Sequence, residues 1–344
     1  MRIAVFLPNW IGDVAMATPA INALWEGLVR GSLIAVGRPY VRGVIDGAPW
    51  FEEFLPTTRR NWWSTVRQLR ALRCDLAVLF PNSFRPALIA RLAGIPRRVG
   101  YARYGRRFLL TDALEPLRTA DGKIAVAPVL DAYNRLVARL GAVAGRRMRL
   151  FTTPADEAAA DAVWSRYCLG RFPEVIALNP GAAFGAAKHW PTAHFAGLAR
   201  RLATDRGAGV IVLCGPSERA LARDIAEQAA HRDVFSIDSE PLSIGLTKAL
   251  VRRSDLLVTT DSGPRHFAAA FARPVVTLFG PTHIGWTETY HPGAIHLQKP
   301  VPCGPCQLRV CPLDHQCMTT LGPDEAFAAA ERLLSGHRRI ELAG

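Results

Sequence analysis

The sequence predicts an α/β protein of two doubly wound domains, each with a mainly parallel sheet. Three observations carry this. Short apolar runs of strand length alternate with segments of helical spacing along much of the 344 residues. The alternation pauses over residues 151–174, where Thr-Thr-Pro and an alanine-rich helical stretch read as an interdomain linker, and then restarts. The length suits two domains of about 150 residues, placed at 1–155 and 156–344. Hydrophobic residues at 49% and charged residues at 21% exclude a disordered or fibrous chain. No run approaches the roughly 18 uncharged apolar residues of a spanning helix. The first apolar run is too short for a signal-peptide core and is soon followed by Asp13, so export is not expected.

In chain order, residues 2–7 (Arg-Ile-Ala-Val-Phe-Leu) read as a buried strand and 8–13 as a loop leading into a helix over 14–25. Further strands are expected at 32–36, 76–80 and 98–101, with helices at 86–92 and 129–140. Pro86 suits a first helical turn, where its missing N–H is not needed. In the second half, strands at 175–178, 210–214, 256–260 and 275–279 each run into a loop rich in Gly, Pro, Ser or Asp. Ligands of open parallel sheets bind beyond the carboxyl ends of the strands. The pattern therefore reads as two Rossmann-like domains facing each other across a cleft.

Charge divides the chain. Residues 1–155 carry 23 Lys+Arg against 10 Asp+Glu, whereas 156–344 carry 19 of each, so the whole net charge of +13 sits on the first half. That half is expected to meet an anionic partner: nucleic acid, an acidic membrane surface or a phosphorylated substrate.

Four segments carry chemistry. Asp261-Ser262-Gly263 closes a strand and opens a helix, whose unpaired amides and positive dipole end favour phosphate; His266 lies one turn in. An ordinary N-cap explains the same residues. Lys188 follows the small-residue loop Gly181-Ala-Ala-Phe-Gly185 and suits a diphosphate leaving group, or a plain surface position. Asp13, beside Gly12, suits a general base or a cap for the helix at Val14. Cys303, Cys306, Cys311 and Cys317 have spacing that can enclose Zn or Fe, with reduced thiols packing a loop as the alternative. No Walker A, Gly-x-Gly-x-x-Gly, His-Glu-x-x-His or Asp-x-Asp pattern occurs, which disfavours a P-loop ATPase, a conventional NAD enzyme, a zinc protease and a metal-dependent sugar transferase.

Together, Pro8-Asn-Trp-Ile-Gly-Asp-Val-Ala-Met-Ala-Thr-Pro19, Asn179-Pro-Gly-Ala-Ala183 with Lys188-His-Trp-Pro191, and Asp261-Ser-Gly-Pro-Arg-His266 with Pro274-Val-Val-Thr-Leu-Phe-Gly-Pro-Thr282 resemble the bacterial lipopolysaccharide heptosyltransferases, glycosyltransferase family 9. The resemblance implies a GT-B fold and inverting, metal-independent transfer of heptose from ADP-L-glycero-D-manno-heptose to a phosphorylated Kdo–lipid A inner core. The donor is then held by the second domain and the acceptor by the first. The Trp before Ile-Gly-Asp and the cysteine segment resemble the type that adds a second heptose more than the type that adds the first.

By the same resemblance Asp13 is the base and Lys188 stabilises departing ADP. Asp261, Ser262, Gly263 and His266 form the diphosphate and sugar site, with Thr282 lining it. Leu242 contacts adenine and Glu218 holds the ribose. Ala182 and Ala183 stand where some relatives have Ser or Thr, so only backbone amides meet the donor there. Arg59, Arg60, Arg103, Arg106 and Arg107 are expected to take the acceptor's phosphates. No cofactor is required for catalysis, and any Zn or Fe at the cysteines is structural. The expected location is cytoplasmic, at the anionic cytoplasmic face of the inner membrane. A basic nucleic-acid-binding protein is the alternative from another class, but the aromatic residues near the arginines form no RRM, KH or helix-turn-helix pattern.

Overall fold

The computed structural model describes residues 1–27 and 31–341. It divides into two compact units, Met1–Phe151 with Gly285–Tyr290, and Thr152–Ile284 with the described residues from His291 onward. Each unit is a Rossmann-like α/β layer around a six-stranded sheet in which every pairing is parallel.

The first sheet contains β1 (Arg2–Phe6), β2 (Ser32–Gly37), β3 (Phe51–Pro56), β4 (Leu76–Leu79), β5 (Arg97–Tyr101) and β6 (Asp112–Leu114). Their spatial order is β3-β2-β1-β4-β5-β6. The second contains β7 (Val175–Asn179), β8 (Gly209–Val212), β9 (Val234–Ser236), β10 (Leu256–Thr260), β11 (Val275–Phe279) and β12 (Ala294–Gln298), in the order β12-β11-β10-β7-β8-β9. Both sheets thus start at the centre, grow to one side and then jump back across the first strand. The jump creates a switch point between β1 and β4, and another between β7 and β10, where loops diverge and leave a crevice. Central strands such as β4, β7, β10 and β11 are buried at every residue, because helices cover both faces of a parallel sheet.

Two expectations are corrected. The first is the linker role: the expected alanine-rich helical stretch is the helix Pro154–Arg166, packed on the second unit and opened by a capping box in which Asp156 N donates to Thr153 Oγ1 (3.1 Å) and Thr153 N to Asp156 Oδ2 (2.9 Å). Arg253 clamps it to the second unit through Glu157 and Asp161 at 2.7 Å each. With that attachment the second compact unit begins at Thr152. The helix expected from Val14 begins instead at Ile11 and runs to Gly27 with Pro19 inside it. Proline cannot donate to the carbonyl four residues earlier; Thr18 Oγ1 donates to that Ala15 carbonyl at 2.7 Å in its place.

Candidate active site

The chemistry of the second unit gathers at the carboxyl ends of β7, β10 and β11. Asp261 follows β10 directly and is 5% exposed. Its Oδ2 accepts from Lys188 Nζ at 2.5 Å and from Thr282 Oγ1 at 2.7 Å. Its Oδ1 faces Arg265 Nη1 at 3.4 Å. Burial pushes this carboxyl up, but Lys188 and then Arg265 outweigh it and hold the group down at about 2. Asp261 is therefore ionised at neutral pH. These three side chains carry two positive charges and one negative, a surplus that an anion from outside can neutralise.

Asp261 spends its carboxylate on these partners and caps nothing. Ser262 stands at the N-cap of the helix Gly263–Ala270 with no side-chain cap hydrogen bond. Asn179 Nδ2 donates to Ser262 Oγ (2.9 Å) and to Thr259 Oγ1 (3.0 Å). The helix start is thus left without a side-chain cap, beside the buried ammonium of Lys188. This overturns the capping alternative and matches what phosphate oxygens require.

Lys188 ends a short 3-10 turn, Ala186–Lys188, on the loop after β7. Its ammonium also donates to the Asp261 carbonyl at 3.0 Å and lies 4.8 Å from the centre of the Phe184 ring. It is not a surface lysine. Thr260 Oγ1 donates to the Gly181 carbonyl at 2.7 Å, tying this loop to the end of β10. Gly185 sits where the backbone of Arg309 closes on it: an added Cβ would lie 2.4 Å from the Arg309 carbonyl oxygen, which also accepts from Ala187 N at 3.0 Å. We expect Gly185→Ala to displace the turn that carries Lys188, lowering stability by about 1–3 kcal/mol. Thermal unfolding checks this; an unchanged midpoint would show that the turn tolerates the shift.

The carboxylate of Glu218 packs against Gly181, where an added Cβ would lie 2.2 Å from it, and accepts from Gly215 N at 2.8 Å. Glu218 thus lies beside the ends of β7 and β8, while Leu242 precedes the helix Ile244–Arg253 on the next loop. Ala182 is buried and Ala183 exposed.

His266 is buried, and its Nδ1 has no hydrogen-bond partner. Burial, then Arg265, lowers its pKa well below the ordinary 6.5, so the ring is neutral at neutral pH. Below pH 6.5 the unfolded chain binds a proton that the folded ring refuses. Stability from this group is full above 6.5 and is lost by about 1.4 kcal/mol per pH unit as pH falls beneath it. The unfolding midpoint is expected to drop between pH 7 and 5.5, and His266→Gln to flatten that slope. An equal slope in the variant would assign it to other groups.

Three further residues had no role in the sequence reading. Arg265 is 2% exposed, with Nη2 3.3 Å from His296 Nε2 and its guanidinium carbon 4.9 Å from the centre of the Phe279 ring. Gln298 Nε2 donates to the carbonyls of Gly280 (3.1 Å) and Thr282 (2.8 Å), fixing the loop that presents Thr282.

In the first unit, Asp13 is half-buried in the first turn of the helix Ile11–Gly27, after β1 at that sheet's switch point. It is two residues inside the helix and not its cap. Arg59, Arg60 and Arg107 are exposed and Arg103 half-buried. Arg107 pairs with Glu115, and Arg103 lies over the Tyr104 ring at 5.1 Å. Arg106 contradicts its expected role. It is fully buried, donating to the carbonyls of Tyr101 (3.0 Å), Ser83 (3.0 Å) and Pro81 and to Asn82 Oδ1 (3.4 Å). Its donors fasten the loops after β4 and β5, which removes it from any acceptor surface.

All four cysteines of the 303–317 segment are free thiols, exposed at Cys303 and buried at Cys317. Among the described residues no group of three or more His, Cys, Asp or Glu is arranged to hold a metal ion, so the Zn or Fe reading of these cysteines finds no support there. No described helix is long and apolar enough to cross a membrane.

The profile of glycosyltransferase family 9 (heptosyltransferase) matches residues 62–316. Lipopolysaccharide heptosyltransferase 2 of Escherichia coli is 27% identical over 303 residues, covering 83% of this chain and 85% of that protein. Lipopolysaccharide heptosyltransferase 1 of Pseudomonas aeruginosa is 28% identical over 377 residues, covering 97% and 98%. The solved structure of E. coli ADP-heptose LPS heptosyltransferase II superposes with a TM-score of 0.78 at 24% identity, over 98% of this chain and all of that one. The GT-B fold expected from the sequence is that of this structure. With more than half of its length matched, the chain belongs to glycosyltransferase family 9, the heptosyltransferases.

Proposed function

We propose that the protein transfers L-glycero-D-manno-heptose from ADP-heptose to a heptose already attached to the Kdo–lipid A inner core of lipopolysaccharide, with inversion and without a metal. The observation that carries this is the buried Lys188–Asp261–Arg265 cluster at the uncapped helix start. In a family of heptosyltransferases, its positive surplus suits the diphosphate of a nucleotide sugar.

In the proposed reaction an acceptor hydroxyl oxygen bonds to the anomeric carbon from the face opposite ADP. The bond from that carbon to the diphosphate oxygen breaks with its electron pair. Asp13 takes the hydroxyl proton, and Lys188 and the helix amides take the charge that forms on the leaving oxygen. Neutral His266 offers its unpartnered Nδ1 to the donor. Glu218 holds the ribose, Leu242 meets adenine, Ser262, Gly263 and Thr282 line the diphosphate, and the amides of Ala182 and Ala183 complete the loop. Arg59, Arg60, Arg103 and Arg107, in the half that carries the whole net positive charge, serve the acceptor's phosphates and hold the protein at the anionic cytoplasmic face of the inner membrane. Each basic residue near such a surface contributes about 1 kcal/mol.

The first-heptose reaction is the second reading, favoured by the near full-length match to heptosyltransferase 1 of P. aeruginosa. Product mass on two acceptors separates them. Our reading predicts transfer to heptosyl-Kdo–lipid A and none to Kdo–lipid A lacking heptose; the reverse pattern supports the first-heptose step.

A further inference from the structure

The geometry points to Arg265 as a positioning residue: it keeps the Asp261 carboxylate paired while Lys188 leaves that carboxylate for the donor's diphosphate. The inference rests on the proposed nucleotide-sugar reading and adds a residue to it. The two oxygens of Asp261 are divided between two cations. Oδ2 takes Lys188 and Thr282, and Oδ1 faces Arg265. The cations differ in freedom. Lys188 is a flexible point charge at the end of a short turn, with 11% of its side chain exposed. Arg265 is planar and 2% exposed, held between the Phe279 ring and His296 Nε2, with Phe279 and His296 themselves packed edge to face at 5.3 Å. It cannot follow the lysine outward.

Were Lys188 the sole counter-charge, its transfer to a phosphate would strand a buried carboxylate with one hydroxyl hydrogen bond, a state the low-dielectric interior strongly disfavours. Lys188 would then stay on Asp261. With Arg265 fixed on the other oxygen, the carboxylate stays paired throughout and the ammonium is released to the ligand. Arg265 lies in the first turn of the helix Gly263–Ala270, and its Nη1 reaches back past the N-cap Ser262 to Asp261 Oδ1.

A double-mutant cycle read by ADP binding tests this on the full chain, using calorimetry on the unaltered protein, Arg265→Gln, Asp261→Asn and the double variant. Arg265→Gln is expected to weaken ADP at least tenfold when Asp261 is present, but less than threefold in the Asp261→Asn background, since a neutral amide needs no counter-charge. Equal losses in both backgrounds would mean that Arg265 only packs, and no loss in either would mean that Lys188 needs no help; each overturns the inference. If Arg265→Gln does not fold by circular dichroism, Arg265→Lys carries the test: ADP affinity within threefold is expected, and a tenfold loss overturns the inference. Failure of the unaltered protein to bind ADP defeats the nucleotide reading itself, and this inference with it.

Discussion

Lys188→Ala is expected to lower turnover with ADP-heptose by about 10²- to 10³-fold, the range for removing one preorganised donor from a developing oxyanion. Hydrogen bonds to the carbonyl and carboxylate of Asp261 hold the ammonium beside the helix start, and in our reading the diphosphate takes it over from the carboxylate. The ammonium is nearly excluded from water, so its charge is little screened. No other lysine stands in the segments that build this site: within 175–191, 256–282 and 294–298 it is alone. Removing one partner of a buried pair often destabilises by about 3–5 kcal/mol, but Arg265 and Thr282 still serve Asp261. The loss is therefore expected in kcat, with the fold intact by thermal unfolding. Turnover within threefold of the unaltered protein would remove Lys188 from the leaving-group role.

Asp13→Ala is expected to lower kcat by about 10²- to 10⁴-fold while leaving ADP affinity within twofold. Asp13 belongs to the first unit, whereas the residues assigned to the nucleotide all lie in the second. Its position in the first turn contributes about 0.3–1 kcal/mol through the helix dipole, too little to unfold the protein on its loss. Steady-state kinetics with calorimetry on the same sample check the pairing of effects. Normal turnover would show that another group takes the proton, and a parallel loss of ADP binding would show a structural fault.

Much of this architecture was legible in the sequence, and what was missed has a common physical cause. The central strands are continuous apolar runs because both faces are covered. The outer strands are not. β3 reads Phe-Glu-Glu-Phe-Leu-Pro, and β6 and β9 are three residues long, so neither period nor length betrays them. The helix at 154–166 was legible from its alanines, but they give no apolar stripe to show that it packs on the second unit and is not a linker.

The site was legible to the extent that its residues lie on the loops that follow strands, as Lys188, Asp261 and Thr282 do after β7, β10 and β11. Arg265 lies within the Asp261–His266 segment, but nothing in that segment assigns it a role. Its contact with His296 spans 31 residues and reaches an outer strand, and no local pattern encodes such a pair. Arg106 misled for the same reason. An arginine in a basic run reads as surface, and the carbonyls that bury it belong to loops 23 to 25 residues earlier. The charge asymmetry survives this correction, since Arg59, Arg60 and Arg107 remain exposed on the first half.

The central claim is donor identity, and a donor screen by product mass tests it most directly. The protein is incubated with a heptosyl-Kdo–lipid A acceptor and, in turn, ADP-heptose and representative UDP- and GDP-sugars, with chelator present. We expect one heptose added from ADP-heptose, equimolar release of ADP and no product from the other donors. Transfer from a UDP- or GDP-sugar, or no heptose added from ADP-heptose to either core acceptor, would contradict it.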